Sequence, residues 1–174
     1  MMPRVRTKPY GGKMEATAKA RSSEAPKAQK FSLRTPYMKQ GRITQTVAKT
    51  ENMWIACKIN AEGGENEIHT HLNQDHAFIV LEGEMSVFDE TGAEMKLKPY
   101  QGVMLPKGAY YRYLNTGSGN LVVLRFGAYT PDRPSKGEAV RIMPNGSEIL
   151  GGSEENKSLP PIEMAGKFFA DSAG

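Results

Sequence analysis

A single cysteine, Cys57, excludes an intramolecular disulfide framework, so packing and hydrogen bonds alone must hold the fold. Cys57 sits in an apolar, strand-like run where a buried inert thiol is the simplest reading, and a reducing, cytoplasmic setting is expected. No stretch approaches the ~20 consecutive apolar residues that cross a bilayer. The first residues also lack the apolar segment of a secretory signal. No membrane partner is therefore expected. A phosphate-cradling Gly-rich loop, a nucleophile elbow and an internal repeat are all absent, which removes P-loop nucleotide binding and serine-hydrolase chemistry from consideration.

What is present suits one ordinary domain: 174 residues, 39% hydrophobic and 24% charged, enough to bury a core. The formal charge is +4, but it is unevenly spread. Residues 1–30 hold eight Lys or Arg against only Glu15 and Glu24, so the remainder is mildly acidic. A basic, solvated arm over residues 1–35 accounts for this better than a nucleic-acid surface, and no nucleic-acid partner is expected. Residues 36–130 read as the domain proper. Residues 131–174 read as an irregular tail, rich in Pro and Gly, with one short apolar element at Ile162–Ala170.

Within the domain, short β-rich runs alternate with turn signals. Met53–Ile59 has a period of two, with Met53, Ile55, Cys57 and Ile59 on one face and Trp54, Ala56 and Lys58 on the other. Gly63-Gly64 and Leu72–Asp75 read as turns, and His76 opens the apolar run to Leu81. Met85–Phe88 precedes the hairpin turn Asp89–Gly92. Further strands are expected at Glu94–Leu97, Val103–Leu105, Tyr110–Leu114 and Leu121–Phe126. Many short strands at even spacing, without a long amphipathic helix, predict an all-β sandwich or barrel.

The sequence's three histidines all lie within eight consecutive residues. On a strand, His69 and His71 project from the same face. The turn after His71 brings His76 back beside them. Three imidazole donors would then converge from one side and leave the other open, which is the arrangement of a catalytic rather than a structural metal site.

The spacing resembles the first cupin motif: Gly63, five residues, His69-Thr-His71, four residues, His76, six residues, Gly83. His76 stands where that family usually has Glu. The second cupin motif is similar but degraded, with Tyr100 in place of its first Gly, then Pro106-Lys-Gly108, Tyr111 in place of its His, and Asn115. The resemblance, carried by residues 63–115, implies a jelly-roll barrel with a metal inside, commonly a homodimer.

Imidazole in place of a carboxylate raises the net charge of such a centre by one, favouring anionic or chelating substrates. Imidazole donors suit Fe(II), Zn, Ni or Cu better than Mg or Ca, with Mn also open. The three-His face is similar to the iron centres of cupin dioxygenases, so an Fe(II) dioxygenase acting on a small chelating molecule is the leading expectation. A metal-dependent lyase or isomerase using Tyr111 for proton transfer, and a non-catalytic small-molecule-binding cupin, are the alternatives.

Tyr111 stands as a fourth ligand, a hydrogen-bonding or proton-transfer group, or a filling aromatic. Tyr113 shares its strand face and is a candidate pocket residue, with core packing as the equal rival. Arg125 interrupts the apolar run Leu121–Phe126. Pointing inward it would hold a substrate carboxylate by two parallel hydrogen bonds; pointing outward it is ordinary surface. Trp54 and Phe78 read as core or interface residues.

Overall fold

The computed structural model describes residues 27–61, 66–130, 140–150 and 159–173. Twelve strands follow in chain order: β1 (Thr35–Gln40), β2 (Arg42–Lys49), β3 (Met53–Asn60), β4 (Gln74–Glu82), β5 (Met85–Asp89), β6 (Glu94–Leu97), β7 (Gly102–Leu105), β8 (Tyr111–Asn115), β9 (Leu121–Tyr129), β10 (Val140–Ile142), β11 (Glu148–Leu150) and β12 (Ile162–Phe169). Among the described residues the only helical element is a short 3-10 turn at Asp171–Ala173. The class is all-β. Most of the expected basic arm, the Gly63-Gly64 turn and the segments 131–139 and 151–158 lie outside the described residues.

A five-stranded antiparallel sheet in the order β2-β3-β9-β4-β7 faces a three-stranded sheet in the order β6-β5-β8. Between them lies the main core, with Phe78 and Val80 of β4, Leu121 and Val123 of β9, Met85 and Val87 of β5, and Tyr111 and Tyr113 of β8. A second cluster covers the opposite face of the large sheet. There Cys57 and Ile59 of β3 and Val122 of β9 pack with Met38 of β1, and Phe169 of β12 adds to the cover. The apolar element expected near the C-terminal end is thus strand β12, paired antiparallel with β1. With both faces of β3 covered, its two sets of alternating side chains both enter cores.

Local conformations at the two motifs follow the backbone demands. Gly83 has φ +82°, and a Cβ there would press on the carbonyl oxygen of Asn120, so only glycine fits this link between β4 and β5. Tyr100, standing where the cupin motif has Gly, keeps a positive φ of 71° with its side chain 86% exposed. The turn is retained although the residue that makes it easy is gone.

Two boundaries differ from the sequence reading. β4 begins at Gln74, inside the expected turn, because Gln74 and Asp75 already pair with Tyr129 and Ala128 of β9. The His69–His71 segment is not a continuous strand. It is fixed by two isolated bridges, His69 to Tyr111 and Thr70 to Ile142.

Candidate metal and substrate site

Cross-strand register builds the site in rows. His76 of β4 faces Gly127 of β9, which faces Trp54 of β3; the next row is Phe78, Arg125 and Ala56, and the next is Val80, Val123 and Lys58. Side chains two apart share a face, so His76, Arg125 and Lys58 all enter the space between the sheets. The bridge between His69 and Tyr111 brings the His69–His71 segment to the β8 side of the same space.

The three histidines meet there. The ring centroids of His69 and His71 are 5.1 Å apart and those of His71 and His76 are 4.5 Å apart. All three side chains are buried. His69 Nδ1 lies 2.7 Å from the Glu67 carbonyl oxygen, and His71 Nδ1 lies 2.9 Å from that of Val140. A carbonyl only accepts, so in both neutral rings Nδ1 carries the proton and donates it, and Nε2 is left with a bare lone pair. Both Nε2 atoms are buried and have no hydrogen-bond partner.

Burial, followed by the Arg141 charge, pushes His69 down to about 2. Burial, followed by the Arg125 and Arg141 charges, pushes His71 down to about 3. His76 is lowered further, again by burial first and Arg125 second. The rings are therefore neutral at any ordinary pH. Neutral imidazoles anchored through Nδ1, with Nε2 free, are the state in which histidine binds a metal.

At His76 the surroundings differ. Arg125 Nη2 lies 3.1 Å from its Nδ1 and 3.3 Å from its Nε2, and the Tyr111 hydroxyl lies 3.3 Å from Nδ1. One nitrogen so nearly equidistant from both ring nitrogens cannot align with either lone pair, so the contact is weak in direction. As the side chains stand, no three His, Cys, Asp or Glu residues among those described are grouped to hold a metal ion. Two of the three donors have the state a ligand needs, and the third is met by a guanidinium.

Tyr111 is fully enclosed, 4.7 Å from the His69 ring, and burial raises its phenol above the usual value of 10. It stays protonated and acts as a hydrogen-bond donor. On its other side it borders an apolar groove lined by Val87, Met95, Val103, Met104 and Leu105. Tyr113 lies deeper, its hydroxyl donating to Asn60 Oδ1 at 3.2 Å and its ring 5.7 Å from Phe78. Thus His69, His71, His76, Tyr111 and Arg125 come together, while Tyr113 supports them from below.

Sequence reasoning missed Lys58, Arg141 and Gln74. Lys58 is 2% exposed, with its ammonium 4.9 Å from the Tyr113 ring centroid. Arg141 is buried beside Val140. Gln74 accepts the Trp54 indole N–H at 3.0 Å, which fixes the indole edge-on to His76. Lys58 stood out only as a cation in the Trp54-Ala56 series; Arg141 lies in a Pro- and Gly-rich region without periodicity.

A family model for the cupin domain matches residues 58–126. Among solved structures, an uncharacterized conserved protein with a double-stranded β-helix domain from Klebsiella pneumoniae is 18% identical, covering 71% of this chain and 97% of that one, with a TM-score of 0.53. An RmlC-like cupin family protein from Methanocaldococcus jannaschii is 17% identical over 63% of this chain and 97% of its own, with a TM-score of 0.51. A protein from Thermus thermophilus is 24% identical over 56% of this chain and 91% of its own, with a TM-score of 0.50. These likenesses show the fold. No curated protein matches the chain. Among the described residues no helix is long and apolar enough to cross a membrane.

Proposed function

We propose, from the premise that this chain carries a cupin domain over residues 58–126, that it is a metal-dependent enzyme acting on a small, anionic, metal-chelating organic molecule. His69, His71 and His76 would hold one divalent transition metal, with Fe(II) favoured among Fe, Zn, Ni, Mn and Cu. The observation that carries this reading is the pair of buried, unpartnered Nε2 atoms on His69 and His71, each in a ring whose Nδ1 is already anchored to a carbonyl. A buried polar atom without a partner is costly, and such atoms mark places where something else binds. His76 completes the set when Arg125 turns from its ring toward an anionic substrate.

Bound Fe(II) would supply a Lewis-acidic, redox-active centre on which a chelating substrate and oxygen can be activated, which is the dioxygenase reading. The chain's own contribution is positional. The His69 and His71 carbonyl bonds fix the rings, Arg125 holds the negative end of the substrate, and Trp54, Phe78 and Tyr111 exclude water. A cytoplasmic homodimer is the expected setting.

A lyase or isomerase is favoured by one observation, the protonated Tyr111 hydroxyl 3.3 Å from His76 Nδ1, which is placed to give a proton to a substrate. Oxygen uptake separates the two. The dioxygenase reading expects oxygen consumption matched to loss of a chelating acid by the iron-loaded protein. Turnover without oxygen uptake, abolished by Tyr111→Phe, would transfer the assignment to the lyase class. Ligand binding unchanged by His69→Ala and His71→Ala would leave only a binding protein.

A further inference from the structure

Among the described residues Arg42, Lys58, Arg125 and Arg141 are all buried, and no Asp or Glu side chain is buried with them. The ion pairs Arg34–Asp171 and Lys96–Glu94 involve exposed side chains. Arg42 donates to Asn66. Lys58 and Arg125 are surrounded differently. The Lys58 ammonium faces the Tyr113 ring, and the Arg125 guanidinium carbon lies 4.9 Å from the Trp54 ring and 5.4 Å from Phe78. Arg125 Nε has no hydrogen-bond partner at all.

Aromatic faces and neutral imidazoles return little of what a charged side chain loses on leaving water. Burial, followed by the Arg42, Arg125 and Arg141 charges, lowers the Lys58 amine well below its ordinary value, and an arriving carboxylate would restore its hold on the proton. Register puts the two cations on one face of neighbouring strands, in successive rows, Arg125 in the row below His76 and Lys58 in the next. Diagonal neighbours across a sheet are near enough for long side chains to share one ligand. Ala56, directly opposite Arg125, is small and leaves that approach open.

We infer that Lys58 and Arg125 together receive a carboxylate of the substrate, and that the substrate is a small dicarboxylate whose other end turns to the histidines. Arg125 supplies the planar fork and Lys58 a compact point charge, two donors that suit the two oxygens of one carboxylate. A second negative group follows from charge. A dication held by three neutral imidazoles would keep its full charge, which favours a second anionic group at the far end of the substrate. The carboxylate contact rests on reading the His-lined interior as the substrate site; the charged far end rests in addition on a metal dication there.

The test is isothermal titration of the full-length protein with malonate, succinate and glutarate, alongside Lys58→Met and Arg125→Gln, with the metal content of each sample measured by elemental analysis. At least one dicarboxylate should bind the wild type, and its affinity should fall tenfold or more in each variant while metal content is unchanged. Lys58→Met keeps the chain length and removes a buried amine that is costly to bury in either protonation state, so its melting temperature should equal or exceed that of the wild type. Loss of binding is then not loss of folding. No binding of any of the three acids, or equal binding by Lys58→Met, overturns the inference. Metal present with affinity independent of Lys58 sinks this inference alone; Lys58-dependent binding in metal-free protein upholds the carboxylate contact and overturns both the metal reading and the charged far end that rests on it.

Discussion

The Nδ1 of His71 lies 2.9 Å from the carbonyl oxygen of Val140, a residue 69 positions further along the chain. Strand β10, outside residues 58–126 that the cupin family model matches, therefore orients a candidate ligand. Its hold is the bridge between Thr70 and Ile142, whose two hydrogen bonds measure 2.9 and 3.0 Å. Groups that orient metal-bound histidines typically matter tenfold to a hundredfold in metal affinity.

Ile142→Pro removes the N–H that Thr70 accepts and leaves all three histidines in place. Metal affinity should fall about 10- to 100-fold, with the far-ultraviolet circular dichroism of the β-sheet retained. An unchanged affinity would mean that β10 has no part in aligning His71.

Acid should destabilise the metal-stripped protein through the histidines. His69 and His71 stay neutral in the fold down to about 2 and about 3, while in the unfolded chain they protonate near ~6.5. Between those values the unfolded chain binds protons that the folded chain refuses. Stability is therefore complete above the unfolded value and is lost as pH falls below it. His76 is shifted the same way, so the slope approaches at most about 4 kcal/mol per pH unit. The sequence has no other histidine, but burial also lowers the Lys58 amine well below its ordinary value, so the share of the change between pH 7.5 and 5.5 that belongs to His71 is the part that His71→Ala removes. Urea midpoints across that range should drop steeply for the wild type and less so for His71→Ala; parallel curves would place the rings in water.

Gly127 is required by its neighbour. A Cβ at this position would collide with the Trp54 indole, which crosses the β9 backbone on its way to Gln74. Gly127→Ala should cost about 1–3 kcal/mol by overpacking and red-shift the emission of the chain's one tryptophan. In a Trp54→Leu background the same substitution should cost much less. Equal cost in both backgrounds would locate the strain in the backbone.

Much of the site was legible because motif spacing and strand parity are local. The histidine spacing brought His69, His71 and His76 together, and period two put Tyr111 and Tyr113 on one face, while the direction of Arg125 stayed open until the register of β9 set it. Lys58 was not legible. Its strand carries an apolar series, Cys57 and Ile59, which looks like the only core face. In the fold that series meets β1 and β12 outside the large sheet, while Trp54, Ala56 and Lys58 face the interior. A strand buried on both faces cannot reveal from its own pattern which face meets the site. Val140 and Arg141 gave no signal, since their role arises from a pairing distant in sequence. Tyr100 shows the reverse case, a motif glycine replaced while its backbone turn persists at φ 71°.

On the reading proposed, His69, His71 and His76 bind one transition-metal ion. The most direct test is elemental analysis of freshly purified full-length protein beside His69→Ala and His71→Ala, each then dialysed against Fe(II) and Zn(II) in turn. Close to one ion per chain is expected in the wild type, with a large loss in both variants. Metal-free wild type that takes up neither ion, or variants that retain the same content, would contradict that reading.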